Sequence, residues 1–137
     1  MIFGHILGYR LGRKVRFFFQ RLFRGFDDSE TWDLQDTFHR WLLPRLERFM
    51  EVTCAYPIRC KSHKQWIKEL NKRVHQLDCI VNINEFKFQD RSYIPKDVLK
   101  KWIEKGAGYE SINAGAYDYC VADFDKWFGK HVNELWW

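Results

Sequence analysis

The sequence predicts an all-α fold, a compact bundle of about five helices, on three observations. Apolar residues recur at three- and four-residue spacing along most of the chain. Gly25, Pro57, Pro95 and Gly106 fall between those stretches, where helices start and stop. The one β-branched and aromatic run, Ile80–Phe88, has no second run to pair with, and a lone strand is unstable. A chain of 137 residues, 46% hydrophobic, with seven Trp and twelve Phe, suits one domain spanning 1–137 and can bury a core.

The first helix is expected over about residues 5–25. On a helical wheel Leu7, Leu11, Val15, Phe18, Phe19, Leu22 and Phe23 fall on one side. Arg10, Arg13, Lys14, Arg16, Arg21 and Arg24 fall on the other, with Ile6 and Phe17 among them. Gly4, Gly8 and Gly12 lie four apart on the apolar side, which frays a helix end or lets another backbone approach. Gly25 is the stop. The second helix takes Ser29 or Thr31 as its cap and carries Leu34, Phe38, Trp41, Leu42, Leu46 and Phe49 at helical spacing. Pro44, inside that pattern, is expected to kink or split it.

Residues 52–61, with Pro57, read as a loop. Ser62 and Gln65 form a capping box for a third helix whose stripe is Trp66, Leu70, Val74, Leu77, Val81 and Phe88. A short fourth helix follows Pro95, with Val98, Leu99, Trp102 and Ile103, and ends at Gly106. The last helix is expected from about Ser111 to Trp136, on a stripe of Cys120, Phe124, Trp127, Phe128, His131 and Leu135.

Net charge is +5, unevenly placed. Six of the 23 basic residues lie in residues 1–25, which hold no acid, so that segment is +6 and the remainder sums to −1. Such a block points to a binding face rather than a general property of the surface. No apolar run reaches transmembrane length, and the N-terminus lacks signal-peptide order. Cys54, Cys60, Cys79 and Cys120 form no CxxC and read as free, mostly buried thiols of a reducing compartment. A cytoplasmic protein without integral membrane association is expected.

Two constellations bear on chemistry. Cys60-x2-His63 and His75-x3-Cys79 have zinc-like spacings. A helix from Ser62 to Cys79 would hold His63 and His75 roughly 18 Å apart, too far for one ion. That leaves His75 and Cys79 as half a site, which Cys54 and Cys60 complete only if the loop folds back, so no metal and no cofactor are expected. Asp118, Asp123 and Asp125 near His131 read as a solvated helix face, partly paired with Lys126 and Lys130. With no phosphate loop, nucleophile elbow or HExxH, an enzyme is not expected.

Two stretches carry a resemblance. Residues 24–34 (RGFDDSETWDL), followed by residues 43–49 (LPRLERF), and residues 128–136 (FGKHVNELW), with Trp66 and Leu70 between, resemble a group of small, functionally uncharacterised proteins of tailed bacteriophages. Residues 80–120 and the four cysteines depart from that pattern. The resemblance implies a viral origin, a helical fold and a host-cytoplasm location. It brings no catalytic residues. Proteins of this class act on host machinery, including as inhibitors of CRISPR-type defence.

The leading expectation is therefore a non-enzymatic accessory protein that binds and inhibits or redirects a host protein or nucleoprotein complex. The competing reading is a stand-alone RNA or DNA binder using Arg10, Arg13, Lys14, Arg16, Phe17, Arg21 and Arg24. A peripheral membrane protein and a nucleotide-sequestering sponge are further alternatives, and the bland one is a basic helix packed on the bundle with its charges in water. The membrane alternative ranks lower because the apolar face of the first helix is expected to be taken up by the core.

Overall fold

A computed structural model describes residues 2–82 and 94–136. Among these there are five α-helices and no strand: α1 (Ile2–Arg24), α2 (Leu34–Val52), α3 (His63–Val81), α4 (Lys96–Glu104) and α5 (Tyr109–His131). Short 3-10 turns occupy Asp28–Thr31 and Val132–Glu134. The chain divides into two compact units, Met1–Phe38 and His39–Trp137, with the boundary inside α2.

The punctuation follows the chemistry of the termini. Gly25 takes φ +84°, and its N–H bonds the Arg21 carbonyl at 3.0 Å, closing α1 in a left-handed conformation that costs glycine nothing. The caps after it differ from expectation. Asp27, rather than Ser29 or Thr31, caps the turn, in a complete box with Glu30. Asp33 then caps α2, its Oδ1 accepting the Asp36 N–H at 3.1 Å. A carboxylate competes well for a free N–H at a positive helix end.

α2 runs without interruption through Pro44, so of the expected kink or split the split does not occur. Leu42, Leu43 and Leu46 are buried while Pro44 is exposed. On that side solvent can take the carbonyl that loses its N–H partner. Ser62 Oγ caps α3 by accepting the Gln65 N–H at 3.2 Å, but Gln65 reaches back to the Lys61 N–H, one residue before the box position. α3 ends at Val81, capped by Asn82. Ile80 and Val81 are thus helical, and the rest of the helix-or-strand question, with Phe88, lies outside the described residues. α5 stops at His131 rather than Trp136, giving way to the 3-10 turn.

The second unit is built on α3 against α5. Trp66, Leu70, Val74, Leu77 and Ile80 face Ala116, Cys120, Val121, Phe124 and Trp127 in a dry core, joined by Leu42, Leu43 and Leu46 of α2. Gly115 lets the Trp102 ring close in on α5, where an added Cβ would stand 3.2 Å from it.

A polar network ties the helices of this unit together, although Arg73 Nε and Asn113 Oδ1 are buried without a hydrogen-bond partner among the described residues. Arg73 Nη1 donates to Gln76 Oε1 and Asp123 Oδ2, both at 2.8 Å. Gln76 Nε2 donates to Asp123 Oδ2 at 2.9 Å and the Cys120 carbonyl at 3.2 Å. Buried His39 places Nε2 2.7 Å from Asp125 Oδ1. Asp123 and Asp125 are thus partly exposed but also tie helices together, to Arg73, Gln76 and His39, a role the sequence expectation of a solvated face paired with Lys126 and Lys130 did not include. Burial pushes the Asp123 carboxyl up, and the bonds from Gln76 and Arg73 outweigh it, leaving the group below the usual range.

Candidate docking helix

α1 is amphipathic, but its two faces are used in the opposite sense from a helix packed on a core. Its apolar side is exposed: Leu11 at 64%, Phe18 at 55%, Leu22 at 64% and Phe23 at 82%, with Val15 and Phe19 also exposed. Phe19 meets the rings of both Phe18 and Phe23. Within this unit nothing among the described residues covers that face.

The polar side is covered by the residues after Gly25. Asp28 is the centre of the clasp. Arg16 donates to its Oδ2 at 2.8 Å, Gln20 Nε2 to the same oxygen at 2.8 Å, and Arg24 to Oδ1 at 2.7 Å. Gln20 Oε1 in turn accepts the Asp28 N–H at 2.8 Å. Arg21 pairs with buried Asp27, which also accepts from the Ser29 N–H and hydroxyl. Trp32 meets the Phe17 ring edge-on at 5.9 Å, and the Arg13 guanidinium lies 6.0 Å from the Trp32 ring centre. On the wheel these anchors, Arg13, Arg16, Phe17, Gln20, Arg21 and Arg24, centre about 170° from the apolar stripe.

The clasp changes the electrostatics. Residues 26–38 add Asp27, Asp28, Glu30, Asp33 and Asp36 without a Lys or Arg, which brings the first unit from +6 to +1. Three of the six sequence-predicted cations, Arg16, Arg21 and Arg24, are held by carboxylates. Arg10 and Lys14 are exposed and make no ion pair among the described residues. The sequence reading missed this closure, although the signal was present: a wholly basic helix, a glycine stop, then a run of acids.

The clasp is also pH-dependent. Ser29, then Arg21, hold the Asp27 carboxyl below its ordinary value, and Arg24 and Gln20 do the same for Asp28. A carboxyl with a depressed folded pKa stabilises fully above its unfolded pKa and loses that contribution as pH falls through the folded value. The clasp is therefore complete above about pH 4 and opens below it. Carboxyl NMR titration should show both groups with midpoints under about 4. Midpoints at or above that would mean the ion pairs do not persist in solution.

The remaining chemical candidates are occupied by structure. Cys54 is exposed, whereas Cys60, Cys79 and Cys120 are buried and free. His75 Nε2 and Cys79 Sγ are 3.9 Å apart, and no group of three or more His, Cys, Asp or Glu among the described residues is arranged to hold a metal ion. His63 sits apart, its Nε2 2.9 Å from the Thr53 carbonyl. In the second unit an open cleft of about 380 Å³ is lined by Tyr56, Pro57, Ile58, Arg59, Glu134 and Trp136. Arg59 at its floor is bound to Glu134 at 2.8 and 2.9 Å and to Glu69 at 2.9 Å. These partners raise its pKa further, Glu134 contributing most. Burial pushes the neighbouring Cys60 thiol up, so it is poorly suited to act as a nucleophile.

No protein-family model, curated protein or solved structure matches the chain. Among the described residues no helix is long and apolar enough to cross a membrane.

Proposed function

We propose that this is a non-enzymatic accessory protein that works by docking, with the outward apolar face of α1 as its docking element. One observation carries the reading: α1 turns its polar side to its own acidic turn and leaves Leu11, Val15, Phe18, Phe19, Leu22 and Phe23 in contact with water. A contiguous exposed patch of this kind marks an interaction surface. Following the phage resemblance, the target belongs to a bacterial host, and docking places the protein where it inhibits or redirects that host's machinery.

Stand-alone RNA or DNA binding is a weaker reading, because phosphates would have to displace Asp27 and Asp28 from three of the arginines. The test is affinity purification of the tagged chain from infected cells, with protein, lipid and RNA all identified. A Leu11→Ser/Phe18→Ser/Leu22→Ser variant is run beside an Arg13→Gln/Lys14→Gln/Arg16→Gln variant. Docking through the apolar face predicts that only the serine variant loses the partner. Loss confined to the glutamine variant, with salt-sensitive RNA recovery, would overturn it.

A further inference from the structure

We infer that the surface met by α1 is an anionic lipid membrane, with the helix lying in the plane of the headgroups. The inference rests on the docking reading above and names its partner. Three features favour lipid. First, the exposed stripe is Leu, Val and Phe, the composition that enters the boundary between headgroups and acyl chains. Second, the cations left outside the clasp are placed for headgroups. Lys14 lies about 40° around the helix from Phe18 and flanks the apolar stripe, while Arg10, about 80° from Phe18, lies farther round toward the polar side. The Lys14 stem can lie along the apolar boundary with its charge at phosphate level. Arg16, at the other margin next to Phe23, remains largely exposed even while bound to Asp28. Third, the acids that neutralise the helix bind its opposite side, so they do not stand between the apolar stripe and a negative surface.

A second copy of the chain suits the same face less well. Packing two such stripes together would bring Lys14 of both copies to the rim of one contact without counter-charge, whereas an anionic bilayer supplies it. The clasp also means that α1 is already helical before it meets the surface, so binding does not have to order the segment.

The experiment is vesicle flotation of the full chain with phosphatidylcholine alone and with phosphatidylglycerol mixed in. The inference predicts flotation with the anionic vesicles and little with the neutral ones. The Leu11→Ser/Phe18→Ser/Leu22→Ser variant should lose binding by more than about ten-fold, since three inserted side chains become polar. Lys14→Gln should weaken it by about five-fold, and salt should weaken it further. Gly12→Ala should leave it unchanged, because a Cβ there meets nothing, whereas a close-packed partner helix would be sensitive to it.

Absence of flotation, together with a dimer or a protein complex in sedimentation that the serine variant abolishes, overturns the lipid inference and leaves docking intact. Equal flotation with neutral vesicles, or a loss on Gly12→Ala, also overturns it. Flotation that the serine variant does not change overturns both readings.

Discussion

Phe124→Ala should destabilise the second unit by about 3–5 kcal/mol, while Phe23→Ala, the same change at a site 82% exposed, should cost under about 0.5 kcal/mol. Phe124 is 0% exposed and lies at the centre of the unit. Its ring meets His39 edge-on at 6.0 Å, Trp127 at 6.0 Å and Phe128 at 6.3 Å, so truncation removes contacts to α2 and within α5 together. The His39–Asp125 and Gln76–Asp123 bonds fix the surrounding helices and limit collapse into the cavity, which places the cost toward the upper end of that range. Against a typical stability of about 5–15 kcal/mol, a loss of that size moves the denaturation midpoint substantially. Urea unfolding followed by near-UV circular dichroism, which reports the packed Trp66 and Trp127, is the measurement. Equal effects at the two phenylalanines would contradict the burial pattern described here.

The helices were legible because their signals are local. Apolar spacing, Gly25, Ser62, Pro95 and Gly106 place all five, and the expected stripes of α3 and α5 supply Trp66, Leu70, Val74, Leu77, Cys120, Phe124 and Trp127 of the buried core. The misplaced features depend on partners distant in the chain or on competition between neighbours. Asp27 and Asp33 displaced Ser29 and Thr31 as caps because several capping residues stand within a few positions, and spacing alone does not rank them. Asp123 and Asp125 look like a charged surface on their own helix. Only the packing of α3 and α2 brings Arg73, Gln76 and His39 to them.

The site was half legible for the same reason. The wheel separated the apolar and basic sides of α1 correctly, yet amphipathicity does not say which side is covered. Within the first unit the polar side is the covered one, because Gly25 turns the chain back and the acids of the next turn find Arg16, Arg21 and Arg24 there. Phe17, named with the cations as a binding residue, packs on Trp32.

Whether the apolar face of α1 is open to solvent can be read by thiol labelling. Leu11, Phe18 and Leu22 are changed singly to Cys in a chain carrying Cys54→Ser, and maleimide reactivity is compared with that of native Cys60, Cys79 and Cys120. These three are buried and serve as slow references in the same molecule. Opening a buried site costs on the order of 3 kcal/mol or more, so the new thiols should react roughly 100-fold faster than the references. Adding anionic vesicles should then slow them, as docking covers the face. Thiols at 11, 18 and 22 that react as slowly as Cys120 in the free protein would show that this face is packed, and the docking helix would have no face to offer.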